Sequence, residues 1–166
     1  MPIKKVTCHV VAAPVARPFT SSRGWLYKTR GTCLVEIETD DGIVGWGECY
    51  GPSAVAKAFI DTQLAPRVIG RDPFDVEVIW EDLYNRIKDY GPKGMSIAAI
   101  SGIDIALWDI VGKACNKPVH KLIGGASAPK STAMPPGFIL RTWTGWSMKR
   151  SRKPRAMSPP ASRLSR

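Results

Sequence analysis

Leu34-Val35-Glu36-Ile37-Glu38-Thr39-Asp40-Asp41-Gly42-Ile43-Val44-Gly45-Trp46-Gly47-Glu48-Cys49 is the stretch that decides the fold. Apolar and acidic side chains alternate from Leu34 to Glu38, the period of a strand with one face in a core. Asp41-Gly42 is a strong hairpin signal, because glycine tolerates the positive φ that tight turns demand. Ile43 to Cys49 then returns as the next strand. Working outward, Trp25 to Thr39 reads as the whole of the second strand. Lys5 to Val11, β-branched and roughly alternating, reads as the first. Between them Ala12 to Gly24 holds Pro14, Pro18 and Gly24 and reads as a loop. The expectation is a three-stranded antiparallel meander.

Helices follow. Ser53 reads as the N-cap of a helix running to about Leu64 and interrupted near Pro66. Asp72-Pro73 reads as a cap with proline at the first helical position. In the next helix Val76, Ile79, Trp80, Leu83 and Ile87 form one apolar stripe at the α-helical period. Tyr90-Gly91-Pro92-Lys93-Gly94 breaks the chain. Ser96 then opens a long helix in which Ile100, Ile103, Leu107, Val111 and Ala114 share a face, and Asp109 and Lys113 make an i, i+4 pair. Pro118 begins a short helical turn that Gly124-Gly125 ends. Strands first and helices after define an α+β domain.

The chain has 166 residues and a formal charge of +10, which misleads until it is divided. All 14 acidic residues lie between Glu36 and Asp109, and residues 1–126 carry a net charge of only +1. The remaining +9 belongs to residues 127–166, which hold no acid at all. The folded part is therefore not read as a nucleic-acid binder on charge grounds. No run of 18 apolar residues is present to span a membrane, and the N-terminus lacks the apolar core of a secretory signal. Cys8, Cys33, Cys49 and Cys115 lie without CxxC spacing, and with only His9 and His120 they form no zinc pattern. These features together fit a cytoplasmic protein with free thiols.

Ala99-Ile100-Ser101-Gly102-Ile103-Asp104-Ile105-Ala106-Leu107-Trp108-Asp109-Ile110-Val111-Gly112-Lys113, then Pro118-Val119 and Leu122-Ile123-Gly124, resembles a signature of the mandelate racemase/muconate lactonizing enzyme family, in the enolase superfamily. Glu36-x-Glu38-x-x-Asp41-Gly42-x-x-Gly45-Trp46-Gly47-Glu48 resembles the same family's capping-domain hairpin, and Ile69-Gly70-Arg71-Asp72-Pro73 and Trp80-Glu81-Asp82-Leu83-Tyr84 also fit. The resemblance covers residues 1 to about 126. It implies an α+β cap of three-stranded meander and helical bundle that closes over a catalytic (β/α) barrel. Such enzymes abstract a proton α to a carboxylate and stabilise the enolate on Mg²⁺. The approach Gly91-x-x-Gly94-x-Ser96 is most similar to acid-sugar members, sugar-lactone cycloisomerases first and sugar-acid dehydratases next. The implied substrate is an acid sugar or its lactone.

A (β/α)₈ barrel takes roughly 200–250 residues, and 41 follow Gly125. With no Asp or Glu after Asp109, the family's carboxylate metal site is not assembled downstream, so no catalytic residue, metal ligand or Mg²⁺ site is carried over. The expectation is a fragment without its barrel, inactive alone and prone to self-association. Residues 127–166 hold six Pro, seven Ser and nine Lys/Arg, a composition that fits a frameshifted, non-native reading or a disordered extension. Arg141 to Arg155 with Trp143 and Trp146 also has the composition of a nucleic-acid-binding arm or a lipid-adhering segment. That makes an orphan interaction module the rival reading.

The resemblance places a substrate-covering loop at Arg17 to Trp25 and a second at Cys49-Tyr50-Gly51-Pro52. Arg17 or Arg23 would pair with a substrate carboxylate, Phe19 or Trp25 would exclude water, and Tyr50 would reach the barrel mouth. Each has a plainer reading as a solvated loop residue. Asp104 and Asp109 lie about 140° apart around their helix and do not share an ion; they read as salt-bridge or helix–loop partners. Glu48 reads as structural, His9 and His120 as packed or exposed, and Trp46, Trp80 and Trp108 as core or interface.

Overall fold

The computed structural model describes residues 1–20, 24 and 26–125. Strands β1 (Ile3–Thr20), β2 (Leu26–Thr39) and β3 (Val44–Cys49) form one antiparallel sheet in the order β1-β2-β3. The meander is as expected. Its turn is closed by Gly42 N–H donating to the Thr39 carbonyl at 3.0 Å, with Gly42 at φ 85°. The buried Thr39 hydroxyl accepts from Ile43 N–H at 3.0 Å, which leaves no polar group stranded. On β2 the residues Cys33, Val35, Ile37 and Thr39 are buried, while Leu34, Glu36 and Glu38 are half-buried on the other face.

The first strand is longer than its sequence suggests. Residues 12–20, read as a loop, continue the ladder with β2: Ala13 faces Arg30, Pro14 faces Thr29, and after a register break Phe19 faces Tyr27. Proline is tolerated because β1 is an edge strand and owes no N–H on its free side. The result is a two-stranded arm, largely exposed, whose composition reads as loop because it buries so little.

Helix α1 (Ser53–Phe59) runs into a π-turn (Ile60–Leu64) and then α2 (Ala65–Val68). Ser53 is the first helical residue, not the cap; Pro52 occupies the N-cap without a side-chain bond. Pro66 has no N–H for the Thr62 carbonyl, and the turn before it slips to i→i+5 bonding, Ala65 N–H donating to the Ile60 carbonyl. Asp72 does not cap a helix either. Its carboxylate accepts from Phe74 N–H at 3.0 Å in a local turn, and α3 (Val76–Ile87) starts after Asp75. The expected stripe holds: Val76, Ile79, Leu83 and Ile87 are buried and Trp80 is half-buried, stacked on Tyr84 at 5.1 Å.

Helix α4 (Met95–Ala114) is the centre of the domain. It is long and apolar enough by composition to cross a bilayer, yet half of that stretch is buried inside the fold. Ile100, Ile103 and Leu107 meet α3 along one seam. A second row, Ala99, Gly102, Ala106 and Ile110, is also buried, so the single expected stripe is one of two; Ala114 is exposed. The second row meets β3, where Gly45 and Gly47 leave room for backbone-to-backbone contact. A Cβ on Gly47 would strike the Gly102 carbonyl, and one on Gly102 the Cys49 sulfur. Ser96 does not open α4; its hydroxyl donates to the Gly91 carbonyl at 2.7 Å. A short α5 (Val119–Leu122) follows Pro118, as read.

The free edge of β3 is also satisfied by α4. Asp109 accepts from Trp46 N–H at 2.9 Å and from the Lys113 ammonium at 2.7 Å. Lys113 in turn donates to the Val44 carbonyl at 2.6 Å. The i, i+4 pair thus does more than decorate a helix: it occupies the donor and acceptor of an edge strand that would otherwise invite another chain.

Candidate functional site

Where the arm leaves the sheet, an open groove of about 610 Å³ runs between the arm's base, the end of β3 and the start of α4. Tyr27, Arg30, Thr32, Glu48, Tyr50 and Met95 are among its walls. Tyr50 stands 86% exposed at the end of β3. Gly51 behind it has φ 107°, and a Cβ there would lie 2.7 Å from the Met95 sulfur, so the segment after Tyr50 packs against the Met95 side chain at the start of α4.

Glu48 and Thr32 project from neighbouring strands into this groove, the Thr32 hydroxyl donating to the Glu48 carboxylate at 2.8 Å. The arm carries an aromatic–cation cluster. Phe19 and Tyr27, opposite each other in the ladder, stack with centroids 5.0 Å apart and planes 20° from parallel. The Arg30 guanidinium lies over both rings, 5.4 Å from Phe19 and 5.8 Å from Tyr27.

Of the residues expected in the covering loops, Tyr50 lines the groove and Phe19 reaches it through Tyr27. Arg17 is exposed in the stretch where register breaks and makes no ion pair among the described residues. Arg23 and Trp25 lie outside the described residues. Tyr27 and Arg30 were missed, having been read as ordinary strand residues; the signal was the hairpin register, which sets Tyr27 against Phe19.

The plainer readings fare as follows. His9 contacts Glu36 at 2.6 Å and packs 5.6 Å from the Trp46 ring on the outer sheet face. Trp108 packs against the core, and His120 is exposed on α5. Asp104 makes no salt bridge among the described residues, contrary to expectation; burial, with Glu77 nearby, pushes its carboxyl above the ordinary range. Among the described residues no three His, Cys, Asp or Glu side chains are grouped so as to hold a metal ion. The donors needed by a hard divalent cation are not assembled there.

A three-stranded antiparallel meander packed on a long central helix, with the groove at one end of the sheet, defines an α+β domain. The chain belongs to the mandelate racemase/muconate lactonizing enzyme family, whose N-terminal domain matches residues 5–124. It is 44% identical over 125 residues to the D-galactarolactone cycloisomerase of Agrobacterium fabrum, covering 75% of this chain and 32% of that one. The arabinonate dehydratase of Saccharolobus solfataricus is 44% identical over 93 residues, 55% of this chain and 25% of that one. A crystal structure of a racemase from Streptomyces coelicolor A3(2) with bound magnesium superposes with a TM-score of 0.70 at 31% identity, covering 75% of this chain and 36% of that chain. The chain thus spans a third or less of the length of the curated relatives it matches.

Proposed function

We propose that residues 1–126 are the substrate-covering domain of an acid-sugar enzyme, a lactone cycloisomerase first and a sugar-acid dehydratase second. In that reading the proton α to a carboxylate is removed, and Mg²⁺ held, by a barrel domain, while this domain supplies binding and water exclusion. The groove at the base of the arm carries the reading, because it gathers aromatic faces, a guanidinium, a hydroxyl and a carboxylate at one end of the fold. That set matches a polyhydroxylated acid: cation for carboxylate, Glu48 and Thr32 for hydroxyls, aromatic walls for the sugar's C–H faces. No step of proton transfer is assigned to a residue of this chain.

The test is a graft. Residues 1–126 replace the N-terminal domain of the Agrobacterium cycloisomerase, and turnover of galactarolactone is measured beside that of the 166-residue chain alone. Turnover by the graft and none by the chain alone is the expected pattern. A folded graft that turns over neither lactones nor sugar acids would sink the reading.

A further inference from the structure

We propose that Arg30 is the carboxylate anchor of the groove, held ready by the Phe19–Tyr27 stack. The inference deepens the acid-sugar reading and rests on it for the choice of ligand. A guanidinium has two chemically distinct surfaces. Its faces are attracted to aromatic rings, and its N–H edges form the fork that matches a carboxylate. In this structure the guanidinium carbon lies 5.4 Å from the Phe19 ring centroid and 5.8 Å from that of Tyr27, and no hydrogen bond or ion pair among the described residues engages its N–H groups. The side chain is exposed and lines the groove. The two rings therefore place the side chain while its donors remain unspent, so a carboxylate can bind them without breaking another hydrogen bond.

Arg17, assigned the same task by resemblance, is placed less well. It sits in the four residues Val15–Pro18 that β1 inserts opposite Lys28 alone, since Pro14 faces Thr29 and Phe19 faces Tyr27. No described residue orients it, and binding through it would have to order a free side chain. Arg30 lies below that break, on the regular ladder opposite Ala13, yet its guanidinium reaches the rings above it. Ligand held by Arg30 is consequently held by the sheet. Farther along the groove the Thr32–Glu48 pair, 2.8 Å apart, offers a carboxylate acceptor and a hydroxyl to the sugar's OH groups.

The experiment is an NMR titration of the full 166-residue chain, following Tyr27, Arg30 Nε–H and Thr32. The probes are galactarate, adipate (the same diacid length without hydroxyls) and galactitol (the hydroxyls without carboxylates). Galactarate is expected to give saturable shifts that weaken about tenfold or more in Arg30→Gln and persist in Arg17→Gln. Arg30→Lys, which keeps charge and stacking but loses the fork, serves should Arg30→Gln fold poorly, and it is expected to weaken binding as well. No saturable shift with galactarate, equal shifts with galactitol, or undiminished shifts in the Arg30 variants would overturn the assignment. Adipate binding as strongly as galactarate would uphold Arg30 as an anion anchor while removing support from the acid-sugar reading. Failure of the graft with retention of these shifts would separate the two in the same way.

Discussion

Cys8, Cys33 and Cys49 are buried on the inner face of three neighbouring strands, with Cys33 directly opposite Cys49 in the ladder. Burial, reinforced by the neighbouring Cys33, pushes the thiols of Cys8 and Cys49 up to about 12. The neutral thiol is the form the fold accepts. An unfolded thiol ionises at its ordinary value of 9.0, so above that pH the unfolded chain releases protons that the folded chain keeps. The stability contributed is complete below pH 9 and is lost as pH climbs toward 12. Urea midpoints should therefore fall between pH 8 and pH 10.5, and fall less in a Cys8→Ala/Cys49→Ala variant; equal falls in both proteins would contradict the assignment. At neutral pH a thiol reagent should label exposed Cys115 rapidly and the other three only after unfolding.

At the scale of elements, the edge of β3 depends on α4 through few atoms. Asp109→Ala removes the acceptor of Trp46 N–H and the partner of Lys113 together. The expected loss is about 1 kcal/mol in chemical denaturation, tempered by partial exposure. Glu38→Ala, which breaks only the exposed pair with Lys4, should cost less. If the two variants melt alike, Asp109 is not the clasp described. Element chemistry also explains what could be read in advance. The β2–β3 hairpin and the α3 stripe were legible because each has one wet and one dry face, which writes a period into the sequence. The arm was not, since a ladder that buries little leaves no period and its prolines spell loop. Helix starts at Ser53 and Asp72 failed because Pro52 and the Asp72 turn bring the chain in without a side-chain cap. The π-turn arises from the missing N–H of Pro66, a defect whose consequence falls on residues preceding it. Tyr50 and Phe19 were visible through family resemblance, whereas Tyr27 and Arg30 acquire meaning only in register with Phe19.

At the scale of the whole molecule, the chain spans a third or less of the length of the curated relatives it matches, and the described residues carry exposed apolar side chains. Phe74, Val78 and Ile105 are among the exposed large apolar side chains of the helical layer. Apolar surface of this kind promotes association when it is contiguous. Purified chain is expected to bind an apolar fluorescent dye and to sediment above its monomer mass. A monomer that melts in one sharp transition with no dye signal would count against it.

The glycine contact between β3 and α4 carries a consequence for how the groove behaves. Wherever side chains form a joint, thermal motion can be absorbed by rotamer exchange, as where Gly51 at the groove's rim meets the end of the Met95 side chain; at Gly45 and Gly47 main chain rests on main chain. Such a joint has no soft coordinate of its own. Strand β3 and the middle of α4 should accordingly travel as one rigid piece, leaving whatever pliancy the groove possesses to its rim, where Gly51 meets a thioether that can change rotamer.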